Sequence, residues 1–323
     1  PIISIADPDA AIAITVDPKN PTPGDVVHLK VTGGPLVDLQ NSTITWYQDG
    51  KSVSKGIGNT AMDTKAGALG SVLDIVVQVA PPTGGASVES VSIVSTRIDL
   101  LADADSYTPP FYKGRALPSA GTRVHVQARP YFKRTDGSFV PSSAIIYTWR
   151  RNGQVMGNLS GMGRQTAVLP APVLYGTDTI SVDAVSADEA FHGSARLRLA
   201  SVEPVLVLYE DHPLFGFMYH RAMGEETRIP DSEMTFAAVP YFAEIKHPAD
   251  PRLRYAWTVG GARVAPSAEH PDRIVINADN SKGGAAIELS LSHAVNFLMS
   301  SRGAWNVVFN TSGFEDNPFS IGF

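Results

Sequence analysis

Cysteine is absent from the sequence. Disulfides, thiolate metal sites and cysteine nucleophiles are therefore excluded, and every domain must be held by packing alone. Long apolar runs are absent as well. Nowhere do eighteen hydrophobic residues follow one another, so no stretch of these 323 residues spans a bilayer as a helix. Runs of Lys or Arg are missing and the formal net charge is −6. The basic footprint of a nucleic-acid-binding chain is not there, and no nucleic-acid partner is expected. Charged residues amount to only 18% against 43% hydrophobic. That balance belongs to a globular protein with material for two or three cores. The chain opens on Pro1 without Met or a signal peptide, the form expected of a processed or trimmed chain.

Motifs that carry chemistry are scarce too. No two of the eight histidines lie at i,i+2 or i,i+4, and no His-Glu-x-x-His is present. "GMGRQT" (Gly161 to Thr166) and "GGAA" (Gly283 to Ala286) lack the strand-loop-helix frame of a phosphate cradle. "LSGMG" is no nucleophile elbow, because no helix follows it. Neither an enzymatic activity nor a cofactor is expected.

What the sequence does contain is a repeat. "ITWYQDGKSV" begins at Ile44, "YTWRRNGQVM" at Tyr147 and "YAWTVGGARV" at Tyr255. Each reads as a strand with a central tryptophan, a Gly-bearing hairpin turn and a return strand. Trp46, Trp149 and Trp257 recur about every hundred residues, the length of an immunoglobulin-like sandwich. Further matches follow. "VHVQARPYF" (Val124 to Phe132) parallels "MTFAAVPYF" (Met234 to Phe242), and "YTPPFYKGRAL" (Tyr107 to Leu117) parallels "HPLFGFMYHRAM" (His212 to Met223). The remaining segments alternate apolar and polar residues and are rich in Val, Ile and Leu, the pattern of half-buried strands. The fold expected is all-β: three tandem immunoglobulin-like β-sandwiches over 1–102, 103–209 and 210–323. Trp46, Trp149 and Trp257 are the expected core plugs. Only "AVNFLMSSRG" (Ala294 to Gly303) is expected to add a turn or two of helix.

The segments "SYTPPFYKGRALPSAGTRVHVQARPYF" and "VLYEDHPLFGFMYHRAM" carry a resemblance. The chain resembles exported surface proteins with Ig-like or PKD-like domains from ultrasmall bacteria of the candidate phyla radiation, over most of its length from Trp46 to Phe309. The resemblance implies an extracellular or cell-surface location, a stalk-like array and association with surface filaments. Members continue into a C-terminal hydrophobic segment, which these residues do not contain.

Candidate sites lie at the junctions and the ends. Tyr107, Phe111 and Tyr112 at one junction, and Phe215, Phe217 and Tyr219 at the next, are expected to pack one sandwich on another or to be covered by another subunit. Asp99, Asp103 and Asp105, with Glu210 and Asp211, cluster near the same junctions. As oxygen donors Asp103, Asp105, Glu210 and Asp211 are candidate Ca²⁺ ligands, against the plainer reading of solvated turn residues. Near the start, Ile2, Ile3, Ile5, Ile12, Ile14 and Val16 form a β-branched stretch. It completes either its own first sheet or, as a donated strand, a sheet of the next subunit. The function expected is a structural cell-surface protein. It is a homo-oligomer or filament subunit assembled through terminal strands and sheet edges. The alternative is a monomeric adhesin or a carbohydrate- or protein-binding module with an unidentified surface receptor.

Overall fold

The computed structural model describes residues 12–309 apart from 36, 225, 230–232, 279, 280 and 282. The chain folds into three tandem immunoglobulin-like β-sandwiches. Among the described residues the only helical pieces are two 3₁₀ turns, Ser142–Ala144 and Gly157–Leu159.

The first sandwich comprises β1 (Ile12–Asp17), β2 (Val26–Gly33), β3 (Thr43–Gln48), β4 (Lys51–Ile57), β5 (Ala61–Lys65), β6 (Val72–Ala80) and β7 (Ser87–Val94). Its sheets run β1-β2-β5 and β4-β3-β6-β7. Alternation decides which side chains enter the core. In β6, Leu73, Ile75, Val77 and Val79 are buried while the residues between them face outward. Val27, Leu29 and Val31 of one sheet meet Ile44 and Trp46 of the other in a single apolar cluster. That shared burial holds the two sheets together.

The second sandwich comprises β8 (Arg97–Ala104), β9 (Arg123–Tyr131), β10 (Ile145–Arg151), β11 (Gln154–Val155), β12 (Gly161–Met162), β13 (Thr166–Pro170), β14 (Thr177–Ser186) and β15 (His192–Ala200). Its sheets run β13-β9-β8 and β11-β10-β14-β15, with β12 also on β10.

The third comprises β16 (Val205–His212), β17 (Gly216–Ala222), β18 (Glu226–Ile229), β19 (Glu233–Tyr241), β20 (Leu253–Val259), β21 (Ala262–Val264), β22 (Arg273–Asn277), β23 (Gly284–His293) and β24 (Ser300–Phe309). Its sheets run β17-β16-β19-β22 and β18-β24-β23-β20-β21. The pairing of β18 with β24 is parallel, Glu226 opposite Asn306 and Ile229 opposite Phe309. The helical expectation for Ala294 to Gly303 is corrected: a turn at 294–299 leads straight into β24.

Trp46, Trp149 and Trp257 lie on β3, β10 and β20 and are buried to within 1%. The turns after them use the chemistry that tight hairpins require. Asp49-Gly50, Asn152-Gly153 and Gly260-Gly261 all have positive φ at both central residues. The chain divides into two compact units. One holds the first sandwich with Val126–Ala167 and Thr179–Arg198, and the other holds Asp103–His125, Val168–Asp178 and the chain from Leu199 onward.

Candidate functional site

The third sandwich carries an aromatic cluster on its β16–β17 face. The β16–β17 hairpin shifts register between Tyr209 and Asp211. Such an irregularity re-aims side chains. Tyr219 sits with its ring 5.4 Å from Tyr209 and stacked 5.5 Å from Phe217. The hydroxyls of Tyr209 and Tyr241 meet at 2.7 Å. Tyr112 stands edge-on to Tyr241 at 5.6 Å and to Phe242 at 5.9 Å.

Tyr107 fastens this end of the cluster through its backbone. Its N–H donates to the Ala243 carbonyl at 2.8 Å, and its own carbonyl accepts from Phe242 N–H at 2.6 Å. Its half-buried ring packs against the third core. Burial pushes its hydroxyl up to about 12, and burial raises the hydroxyls of Tyr219 and Tyr241 as well. These phenols act as neutral hydrogen-bonding rings.

Of the six junction aromatics, the structure brings Tyr107, Tyr112, Phe217 and Tyr219 into this cluster. The other two stand apart. Phe111 is 90% exposed, and Phe215 is 73% exposed beside Leu214 at 84%. Leu214 and Phe215 form the tip of the β16–β17 hairpin. Their N–H groups donate to His212 Nδ1 at 3.1 and 3.4 Å, and the His212 ring lies 4.7 Å from that of Phe215. Sequence reasoning missed Tyr209, Tyr241 and Phe242, although the duplicated Pro-Tyr-Phe was a signal for the last two.

Charge is managed tightly on the same face. Arg273 pairs with Asp211 and lays its guanidinium 5.1 Å over the Phe217 ring. Asp272 is 3% exposed, and its Oδ1 has no hydrogen-bond partner among the described residues. Burial raises its pKa.

Each of the four Ca²⁺ candidates faces a donor or a cation of its own chain. Asp103 accepts from Ala116 N–H at 3.2 Å. Asp105 lies 3.2 Å from Arg123 and 3.0 Å from His125. Glu210 faces Arg221 at 3.9 Å, and Asp211 holds Arg273. No three His, Asp or Glu side chains converge among the described residues.

The donated-strand reading of Ile12, Ile14 and Val16 is corrected. β1 runs antiparallel to β2, from Ile12 opposite Gly33 to Asp17 opposite His28. Ile12 is 3% exposed in the first core. Ile12 is spent in the first core, and Ile14 and Val16 pack half-buried against the same core. Ile2, Ile3 and Ile5 lie outside the described residues.

A second feature was not read from sequence. On the second sandwich an open groove of about 480 Å³ is lined by Gln127, Arg129, Tyr131, Phe139, Ser142 and Gln165. It lies where β9 outruns β13. Ala128 N–H donates to the Gln165 carbonyl at 2.9 Å, just before β13 starts. Two residues on, the same edge of β9 presents Pro130, which has no N–H to offer. Phe139 is 53% exposed, and the Arg97 guanidinium sits 5.6 Å from the Tyr131 ring. The groove combines aromatic faces, side-chain amides and an exposed cation.

No family model and no curated protein matches the sequence. Among solved structures the chain is similar to the fibronectin(III)-like modules of Clostridium thermocellum CbhA, at 12% identity over 58% of this chain and 94% of that one, TM-score 0.28. It is similar to three N-terminal domains of the Highly Immunogenic Outer Capsid protein of bacteriophage RB49, at 14% identity over 93% and 98%, TM-score 0.27. It is also similar to extracellular domains 3–5 of Drosophila OTK, at 11% identity over 92% and 97%, TM-score 0.22. At these scores the similarities say nothing of what this chain binds or does. Among the described residues no helix is long and apolar enough to cross a membrane.

Proposed function

We propose that the chain is a structural cell-surface protein, a subunit of an extracellular filament or stalk whose copies meet through sheet edges and exposed loop tips. The observation that carries this reading is β22, an outermost strand of its sheet. Outer strands of solitary domains are normally guarded by charge. The one charged residue of β22, Arg273, is turned away onto Asp211 and Phe217, while Val275 stands 53% exposed in the middle of the strand. The bare tip of Leu214 and Phe215 supports the same reading, since apolar patches on soluble domains mark contact surfaces. The resemblance to exported surface proteins supports the extracellular placement.

A second reading has its own observation. The groove at Tyr131 and Phe139 suits a monomeric adhesin or binding module, because rings beside amides and a cation are what a polar ligand with an apolar face requires. Sedimentation velocity and negative-stain electron microscopy of the full chain over a range of concentrations separate the two. Growth into linear oligomers is the result expected. A chain that stays monomeric at every concentration sinks the filament reading and leaves the adhesin.

A further inference from the structure

The second and third sandwiches repeat one surface, and the third holds an occupant on it. Pro130-Tyr131-Phe132 and Pro240-Tyr241-Phe242 end the equivalent strands β9 and β19. The rung Ala128 N–H to Gln165 carbonyl, 2.9 Å, has its counterpart in Ala238 N–H to Asp272 carbonyl, 2.8 Å. The groove beside Gln165 and Tyr131 is therefore the second sandwich's version of the place beside Asp272 and Tyr241.

In the third sandwich that place is covered by the chain itself. Tyr107 bonds to Phe242 and Ala243 through its backbone, and its half-buried ring packs against the third core. Tyr112 closes over Tyr241 and Phe242. The covering segment is "YTPPFYKGRAL", one of two copies of a duplicated motif. In the second sandwich the place stands open at about 480 Å³.

The other copy, "HPLFGFMYHRAM", behaves differently. It closes the β16–β17 hairpin, lays Phe217 and Tyr219 on its own sheet, and leaves Leu214 and Phe215 in solvent. His212 holds that turn in one shape by accepting both N–H groups. One chain thus carries an uncovered copy of the surface and, in the second copy of the motif, an exposed apolar tip.

We propose that the Leu214-Phe215 tip of one molecule docks in the Tyr131–Phe139 groove of a second copy of this chain. This rests on the filament reading and names its contact. Pro130 supports a side-chain plug over a donated strand, because a strand arriving there meets no N–H on that edge. Arg129 is placed to stack on Phe215 as Arg273 stacks on Phe217. Tip and groove are different surfaces, so the contact is heterologous, and each addition leaves one of each exposed for the next.

The test uses two variants of the full chain. One is Leu214→Ser with Phe215→Ser, and the other is Arg129→Ser with Phe139→Ser. All four side chains are exposed or line an open groove, so far-UV circular dichroism should match wild type. Each variant alone should lose assembly by sedimentation velocity, with association weakened at least about tenfold. Mixed one to one, the variants should form a dimer and nothing larger, because only one intact tip and one intact groove can meet. Phe215→Leu, which keeps an apolar tip, should restore most of the assembly. Variants that assemble as wild type does, or a mixture that grows beyond dimers, overturn this contact while the filament reading stands. Wild-type chain that never assembles overturns both.

Discussion

The indole Nε1–H of Trp46 donates to the carbonyl of Asn59 at 3.0 Å, two residues before β5 begins. Trp149 does the same to Arg164 at 2.8 Å, two residues before β13, and Trp257 to Pro271 at 3.1 Å, two residues before β22. In every repeat the tryptophan stands on one sheet and its donor reaches the lead-in to an edge strand of the other. A buried indole N–H needs a partner. Meeting that need here also ties the two sheets at one point.

Replacing Trp46, Trp149 or Trp257 by Ala should cost about 3–5 kcal/mol, the range for emptying a buried aromatic site. Replacement by Phe keeps a ring but leaves the loop carbonyl without its donor, and should cost about 1 kcal/mol beyond the lost volume. Urea denaturation of the six variants checks both. Equal losses for Phe and Ala would show that the hydrogen bond contributes nothing separate.

Asp250 should make folding acid-sensitive. Arg252 donates to it through Nε at 3.0 Å and Nη2 at 2.9 Å and holds its pKa down at about 2, below the ordinary 3.8. A depressed carboxylate stabilises the fold above its unfolded pKa, and that stability is lost as pH falls. Asp250→Asn should lower the denaturation midpoint at pH 7, and the deficit should shrink between about pH 4 and pH 2. A deficit that persists unchanged at pH 2 contradicts the ionic origin.

Asp272 should behave with the opposite sign. Burial raises its pKa above 3.8, so ionising it disfavours the folded state. Its adverse effect is absent below the unfolded pKa and grows as pH rises. Asp272→Asn should raise the denaturation midpoint at pH 7, with the gain fading toward pH 3. Destabilisation at pH 7 would mean that Arg273 depends on this carboxylate as well as on Asp211.

Gly121 has φ +94°, and a Cβ there would run into Glu244 and Asn296. The Asn296 side chain donates to the Ala120 carbonyl at 2.7 Å and to Glu244 at 2.9 Å. Gly121→Ala should therefore cost about 1–3 kcal/mol through strain alone. Gly153→Ala, also at positive φ but with open space around it, should cost less in the same melting experiment.

The sandwiches were legible because their signals are local. Alternation in segments such as Val72–Ala80, and a tryptophan followed by Asp-Gly or Asn-Gly, depend only on near neighbours in sequence. The groove was not legible, because it exists where β13 fails to accompany β9 as far as Pro130. That is a relation between residues some 35 positions apart in sequence. The surroundings of the Ca²⁺ candidates were hidden for a related reason. Asp105 reads as one acid among others until the fold brings Arg123 and His125 to it. Ile12, Ile14 and Val16 were correctly marked as needing burial, but the choice between their own sheet and a neighbour's lay in the β1–β2 register.

The parallel pairing of β18 with β24 bears on what the third sandwich does under tension. Four residue pairs, from Glu226–Asn306 to Ile229–Phe309, lie side by side along strands that point the same way. A pull that draws the start of β18 and the end of β24 apart runs along the strands, so these rungs are sheared together. A hairpin opened from its loose end gives way one rung at a time. Under a pull applied at those two points the third sandwich would hold until the four rungs of β18 give way together.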